Sequence, residues 1–207
     1  MMRRHLLIAL TLAVAGAAPV AAQAWDAPSF MSPRPGEDIG LYVLKSEVEG
    51  SDVGFSGIWR QSGNLNLGVR AGIIGSDFYL VGAELYGPLN LLGPESGLML
   101  SWVTGIGAGF NGVTTLRVPL GVSVGVNLGA GGLAITPYAH PRVALDVIAR
   151  EIAGEEETDT EINFDIDLGA DVALGQSFVL RVGATIGDTN TFGAGIAYRL
   201  SRRIEVR

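Results

Sequence analysis

Cysteine is missing altogether from this chain, and lysine occurs once, as Lys45. The first absence excludes disulfides, thioether lipid attachment and thiolate metal sites. The second is out of place for a soluble domain, whose exterior is normally crowded with lysine and glutamate. Histidine is scarce too: His5 lies in the N-terminal run, which leaves His140 as the only imidazole of the remaining chain. Beyond that run, no apolar stretch approaches the ~20 residues that a membrane-crossing helix needs. Positive charge is in short supply, and the formal net charge of −7 argues against nucleic acid as a partner.

The N-terminus, MMRRHLLIALTLAVAGAAPVAAQA, places Arg3 and Arg4 ahead of an apolar run from Leu6 to Ala18, then Ala22-Gln23-Ala24. That is the layout of a secretory signal peptide, so residues 1–24 are expected to be cleaved and Trp25 to begin the mature protein. Residues 25–37, WDAPSFMSPRPGE, carry Pro28, Pro33 and Pro35 and show no periodicity. They read as an extended periplasmic lead-in to a single domain over 38–207.

What the domain has in abundance is alternation, clearest in Leu116–Leu128, LRVPLGVSVGVNL. Leu116, Val118, Leu120, Val122, Val124, Val126 and Leu128 alternate with Arg117, Pro119, Gly121, Ser123, Gly125 and Asn127. A strict period of two over such a length is a long strand with one apolar face, and a membrane-crossing strand needs roughly nine to eleven residues. The pattern recurs at about Ile39–Glu47, Val53–Gln61, Leu65–Ile73, Phe78–Tyr86, Leu98–Phe110, Leu133–Ala149, Ile162–Leu174, Phe178–Ile186 and Phe192–Leu200. About ten antiparallel strands result, joined by turns such as Gln61–Asn64 and Leu174–Ser177. Pro137 and Pro141 each delete a ladder donor, so irregularity or a bulge is expected in the strand that holds them.

The polar face is mostly glycine, serine and isolated charges, which suits a crowded interior better than a solvated exterior. The apolar face is therefore expected to meet lipid. The interior would then hold Arg60, Arg70, Glu84, Arg117, Tyr138, Arg142, Asp165, Asp167, Asp171, Arg181 and Arg199. Buried charges of both signs must pair. With Ala149 opposite about Thr160, counting places Arg142 across from Asp167. Aromatic side chains sort to two levels: Tyr79, Phe110, Phe164 and Phe192 toward one rim, Trp59, Trp102, Phe178 and Tyr198 toward the other. Two such belts match the two interfaces of a bilayer.

These features resemble the bacterial outer-membrane β-barrel class. Strands of that class often end the chain on an assembly signal, which Gly195, Tyr198 and Leu200 resemble, although SRRIEVR follows them. The resemblance implies an outer-membrane location, contact with outer-membrane lipid and recognition by the barrel-assembly machinery. An even strand count leaves both termini in the periplasm, with Ala153–Glu161 outside.

Candidate chemistry is thin. Gly107-Ala108-Gly109-Phe110-Asn111-Gly112 spells a dinucleotide fingerprint, but a strand follows where a helix would have to bind pyrophosphate. Ten-stranded proteases resembling the omptin family need His and Asp at the outer rim, whereas His140 falls mid-strand. Asp165, Asp167 and Asp171 share a face and could suggest a cation site, but Arg142 and Arg181 offer them partners. The run AGEEETDTE at Ala153–Glu161 reads as a solvated loop. No catalytic residue, metal or cofactor is expected. The expected role is a small structural or surface-interaction barrel with a largely closed polar lumen. A narrow diffusion channel, an outer-membrane enzyme and a soluble exported barrel are the alternatives.

Overall fold

The computed structural model describes residues 27–46, 53–63, 65–93, 96–111, 113–130, 133–152, 155–187 and 190–200. Every regular element among them is a strand: β1 (Asp38–Ser46), β2 (Val53–Gln61), β3 (Asn66–Ile74), β4 (Phe78–Pro88), β5 (Leu98–Phe110), β6 (Thr114–Val126), β7 (Leu128–Ala130), β8 (Leu133–Ile152), β9 (Glu155–Leu174), β10 (Phe178–Ile186) and β11 (Thr191–Arg199). Each pairs antiparallel with its neighbour in sequence, β6 and β7 both lie along β8, and β1 pairs with β11 to close the ring. β6 and β7 are consecutive segments of one stave, so the structure is an antiparallel barrel of ten staves. Gly75 and Gly175 take φ of 62° and 67°, a left-handed conformation that lets three-residue turns join β3 to β4 and β9 to β10.

Burial follows the period of two. Leu41 is 72% exposed, Phe55 60% and Ile162 76%, all on the outer face. Arg60, Arg117, Arg142 and Arg181 are buried on the inner one. Water could not stabilise such an inversion; a hydrocarbon exterior can. Apolar outside and charged inside is the arrangement of a transmembrane β-barrel. The start of β1 and the end of β11 lie at one rim, with the starts of β3 and β5 and the end of β2; this is the terminal rim. The opposite, distal rim carries the β1–β2, β3–β4, β5–β6 and β8–β9 hairpin ends.

Three expectations are corrected and one, at the prolines, is narrowed. Residues 155–161 of the acidic stretch are strand, not loop, because β8 and β9 run to an Ile152–Glu155 pair and are 20 residues long each. Alternating threonines and glutamates can extend a ladder that is already nucleated below. Consequently Ala149 faces Thr158, and Arg142 lies across from Asp165 rather than Asp167, a two-residue shift that keeps both on the inner face. Pro137 and Pro141 produce no bulge, since β8 holds one register with β9 throughout. Their missing donors instead open gaps on the β6 side: pairing lapses after Gly121–Arg142 and again between β6 and β7, opposite Thr136–Pro137. The remaining correction is the lead-in: of its described residues, 27–33 and Pro35 are buried within the barrel, while Arg34 is exposed.

The staves are unequal. β10 last pairs with β9 at Ile186–Ile166, so the β9 residues from Asp165 to Glu155 rise beyond it with no strand on that side among the described residues. The distal rim is therefore low along β10, β11, β1, β2 and β3 and tall at the β8–β9 hairpin.

Candidate functional site: the occupied lumen

Inward side chains form three charge clusters. On β2, β3 and β4, Glu84 pairs with Arg60 (2.9 Å) and Arg70 (2.5 Å). Across β6, β8 and β9, Arg117 grips both oxygens of Asp146 (2.6 and 2.7 Å) and reaches Asp165 at 3.2 Å. Arg142 lies between Asp165 (3.5 Å) and Asp167 (3.3 Å). On β1, β9 and β10, Arg181 holds Asp38 at 2.6 Å and Asp171 at 3.3 Å and donates to the Tyr42 hydroxyl at 2.9 Å. Among the described residues, five buried arginines face six buried carboxylates, so the interior is close to neutral. Registry places these groups: each is on an odd or even step that the outer apolar residues leave to the bore.

The N-terminal segment ties the clusters together. The Ser29 carbonyl accepts from Arg60 (2.8 Å) and Arg70 (3.0 Å), while its N–H donates to Asp167 (3.2 Å) and its hydroxyl contacts His140 Nδ1 (2.9 Å). Ser32 donates to Asp171 at 2.8 Å, and the Met31 carbonyl accepts from Ser123 at 2.6 Å. Phe30 and Met31 are fully buried, and Phe30 takes a φ of 49°, the only left-handed residue other than glycine among those described. Such a conformation costs of order 1–3 kcal/mol and persists where its surroundings hold it. The inner-face glycines make the room: a Cβ on Gly193 would stand 2.6 Å from the Phe30 ring, and one on Gly183 3.1 Å from Pro28. The segment rises from Pro33, beside Gly125 near the terminal rim, to Ala27, which joins Ile74, Phe78 and Leu80 in an apolar cluster near the distal rim. A cavity of about 10 Å³ beside Ser29, Glu84, His140 and Arg142 has room for about one water.

Ser29, His140 and Asp167 make a familiar trio of residue types in an unproductive geometry. Both Ser29 Oγ and Asp167 Oδ2 (3.3 Å) contact the same ring nitrogen, Nδ1. A triad needs the serine on one nitrogen and the carboxylate on the other. The remaining nitrogen, Nε2, is packed against Gly121.

Of the inward residues expected from sequence, Arg60, Arg70, Glu84, Arg117, Tyr138, Arg142, Asp165, Asp167, Asp171 and Arg181 are buried. Arg199 is half-exposed at the terminal rim, outside the clusters. Tyr79, Phe110, Phe164, Phe178, Phe192 and Tyr198 are exposed on the outer face, and Trp59 and Trp102 are half-buried there. Tyr79 pairs with Phe110 near the distal rim, and Phe178 meets Tyr198 edge-on, centroids 5.4 Å apart, at the terminal one. Gly195 lies against Tyr42, while Tyr198 and Leu200 point outward. Sequence reasoning missed Ser29, Phe30, Ser32, Asp38 and Tyr42. The signal available for them was the column of inward glycines, which implied space that some other part of the chain had to fill.

No protein-family model matches the sequence, and no curated protein matches it. Solved structures similar in shape include the KdgM porin (TM-score 0.45, 8% identity, 79% of this chain and 99% of that one). The β domain of the Bordetella autotransporter BrkA superposes at 0.49 with 12% identity over 80% of this chain and all of that one. Neisserial surface protein A gives 0.35 with 12% identity, over 79% and 95% of the two chains.

Proposed function

We propose that this chain is a small outer-membrane protein whose lumen is closed by its own N-terminal segment and inner charge clusters, and that it serves envelope structure or surface interaction. The observation that carries the reading is Ser29, whose backbone and hydroxyl engage Arg60, Arg70, Asp167 and His140 from four staves. A residue bound on so many sides is a fixed filling of the bore. Residues 1–24 act as a cleaved signal peptide, and both termini face the periplasm. The C-terminal stretch holding Gly195, Tyr198 and Leu200 is read by the assembly machinery. The distal rim, with the acidic β8–β9 hairpin, is then extracellular and offers the surface for interaction. Hydrolysis is disfavoured by the shared Nδ1 of the Ser29–His140–Asp167 trio.

Conductance across a planar bilayer tests this reading. The purified protein should give no stable channel, and deletion of residues 27–33 should produce one. Steady, solute-permeable current from the intact protein would replace this reading with the narrow diffusion channel.

A further inference from the structure

The outer wall between β9 and β2 carries a shallow depression. In one cross-strand row, Ala170, Val182, Ala194 and Val43 lie side by side; in the next, Leu168, Ala184, Phe192 and Lys45 do. Ala170 and Ala194 alternate with Val182 and Val43 in the first row, and Ala184 stands between Leu168 and Phe192 in the second, so the alanines form a depression among these larger side chains. The depression is shallow and open on its lipid side, with a volume of about 720 Å³. Lys45 stands at its distal lip, one residue from the end of β1. It is the only lysine in the chain. Among the described strand residues it is also the only cation on the outer face, since every strand arginine takes the inward step.

We infer that this groove is a binding site for one phosphate-bearing membrane lipid, with an acyl chain along Ala170, Ala184 and Ala194 and the phosphate on Lys45. The charge decides the occupant. A wholly apolar partner would leave the ammonium of Lys45 unmatched at the lip, and a second copy of this acidic chain would set Lys45 against Lys45. A lipid of the distal leaflet brings an anion to the rim and hydrocarbon below it, in the order the groove presents them. The depression also explains why alanine stands where lipid contact would favour leucine or valine. This inference rests on the outer-membrane reading but not on the closed lumen, so the conductance result leaves it untouched.

Native mass spectrometry of the purified full barrel from detergent tests it, with phosphatidic acid, phosphatidylcholine and diacylglycerol of the same acyl chains as probes. The unmodified protein should retain one phosphatidic acid at a concentration at least about tenfold below that needed for diacylglycerol. Lys45→Glu should abolish that preference, and Ala184→Trp, which fills the groove from the lipid side, should abolish retention of all three. Gel mobility of the unheated protein reports that each variant is folded; Ala194→Trp substitutes if Ala184→Trp is not. Loss of preference in Lys45→Glu with full retention in both tryptophan variants would mean surface attraction alone and overturn the groove. Insensitivity to Lys45→Glu would overturn the headgroup assignment and the proposal with it.

Discussion

Phe30 stacks on Tyr42 with ring centroids 4.2 Å apart and planes inclined by 21°. The contact joins the N-terminal segment to β1, the strand it leads into only a few residues later. Removing a buried phenylalanine ring costs about 3–5 kcal/mol, and here that loss falls mainly on the seating of the segment. Phe30→Ala should give intermittent ion conductance and protease-sensitive residues ahead of β1, with the barrel itself still folded. Gly193→Leu should do the same from the opposite side, because its side chain would occupy the space of the Phe30 ring.

Glu84 is the carboxylate shared by Arg60 and Arg70. Taking one partner from a buried ion pair costs about 3–5 kcal/mol, more than the pair contributes over an apolar substitute. Glu84→Ala should lower the denaturant midpoint for loss of the folded gel mobility, with Glu84→Gln falling between it and the parent. Arg142→Ala should cost less, since Asp165 keeps Arg117, and Asp167 keeps Thr185 and the Ser29 N–H.

The absence of cysteine makes topology directly readable. Glu157→Cys should react with a membrane-impermeant maleimide on intact cells, and Ser62→Cys only after the outer membrane is opened. The reverse pattern would invert the barrel.

Register can be fixed in the same way. Val143 lies across from Phe164 on the outer face, and Leu145 across from Ile162. The Val143→Cys, Phe164→Cys double variant should cross-link on oxidation, whereas Val143→Cys with Ile166→Cys should not.

Much of the wall was legible in the sequence because a period of two is enforced at every step by lipid on one side and charge on the other. The spans Val53–Gln61, Leu98–Phe110 and Phe178–Ile186 are the same in the structure. Pro137 also showed its effect, although as a gap in pairing and not as a bulge. The upper β8–β9 hairpin was illegible because charge density argues for solvent, and a two-sided polar ladder in solvent looks like a loop. The register error followed from that, since counting began at the wrong turn. The segment 27–35 was illegible for a different reason. Most of its hydrogen bonds to the wall are made by backbone groups of Ser29 and Met31, and backbone groups leave no trace in residue type.

The segment in the bore is continuous with β1, and β1 is one of the two strands whose pairing with β11 completes the ring. Order of events follows from that connection. Residues 27–33 must be laid inside while β1 and β11 are still apart, or else be drawn lengthwise through one mouth of a finished cylinder crowded with arginine. The first route costs no breakage of ion pairs, because Arg60, Arg70, Asp167 and Asp171 meet Ser29 and Ser32 as the circle shuts. On the closed-lumen proposal, ring closure by that first route is also the moment of corking, and a barrel zipped around an empty bore would have to take the costlier one.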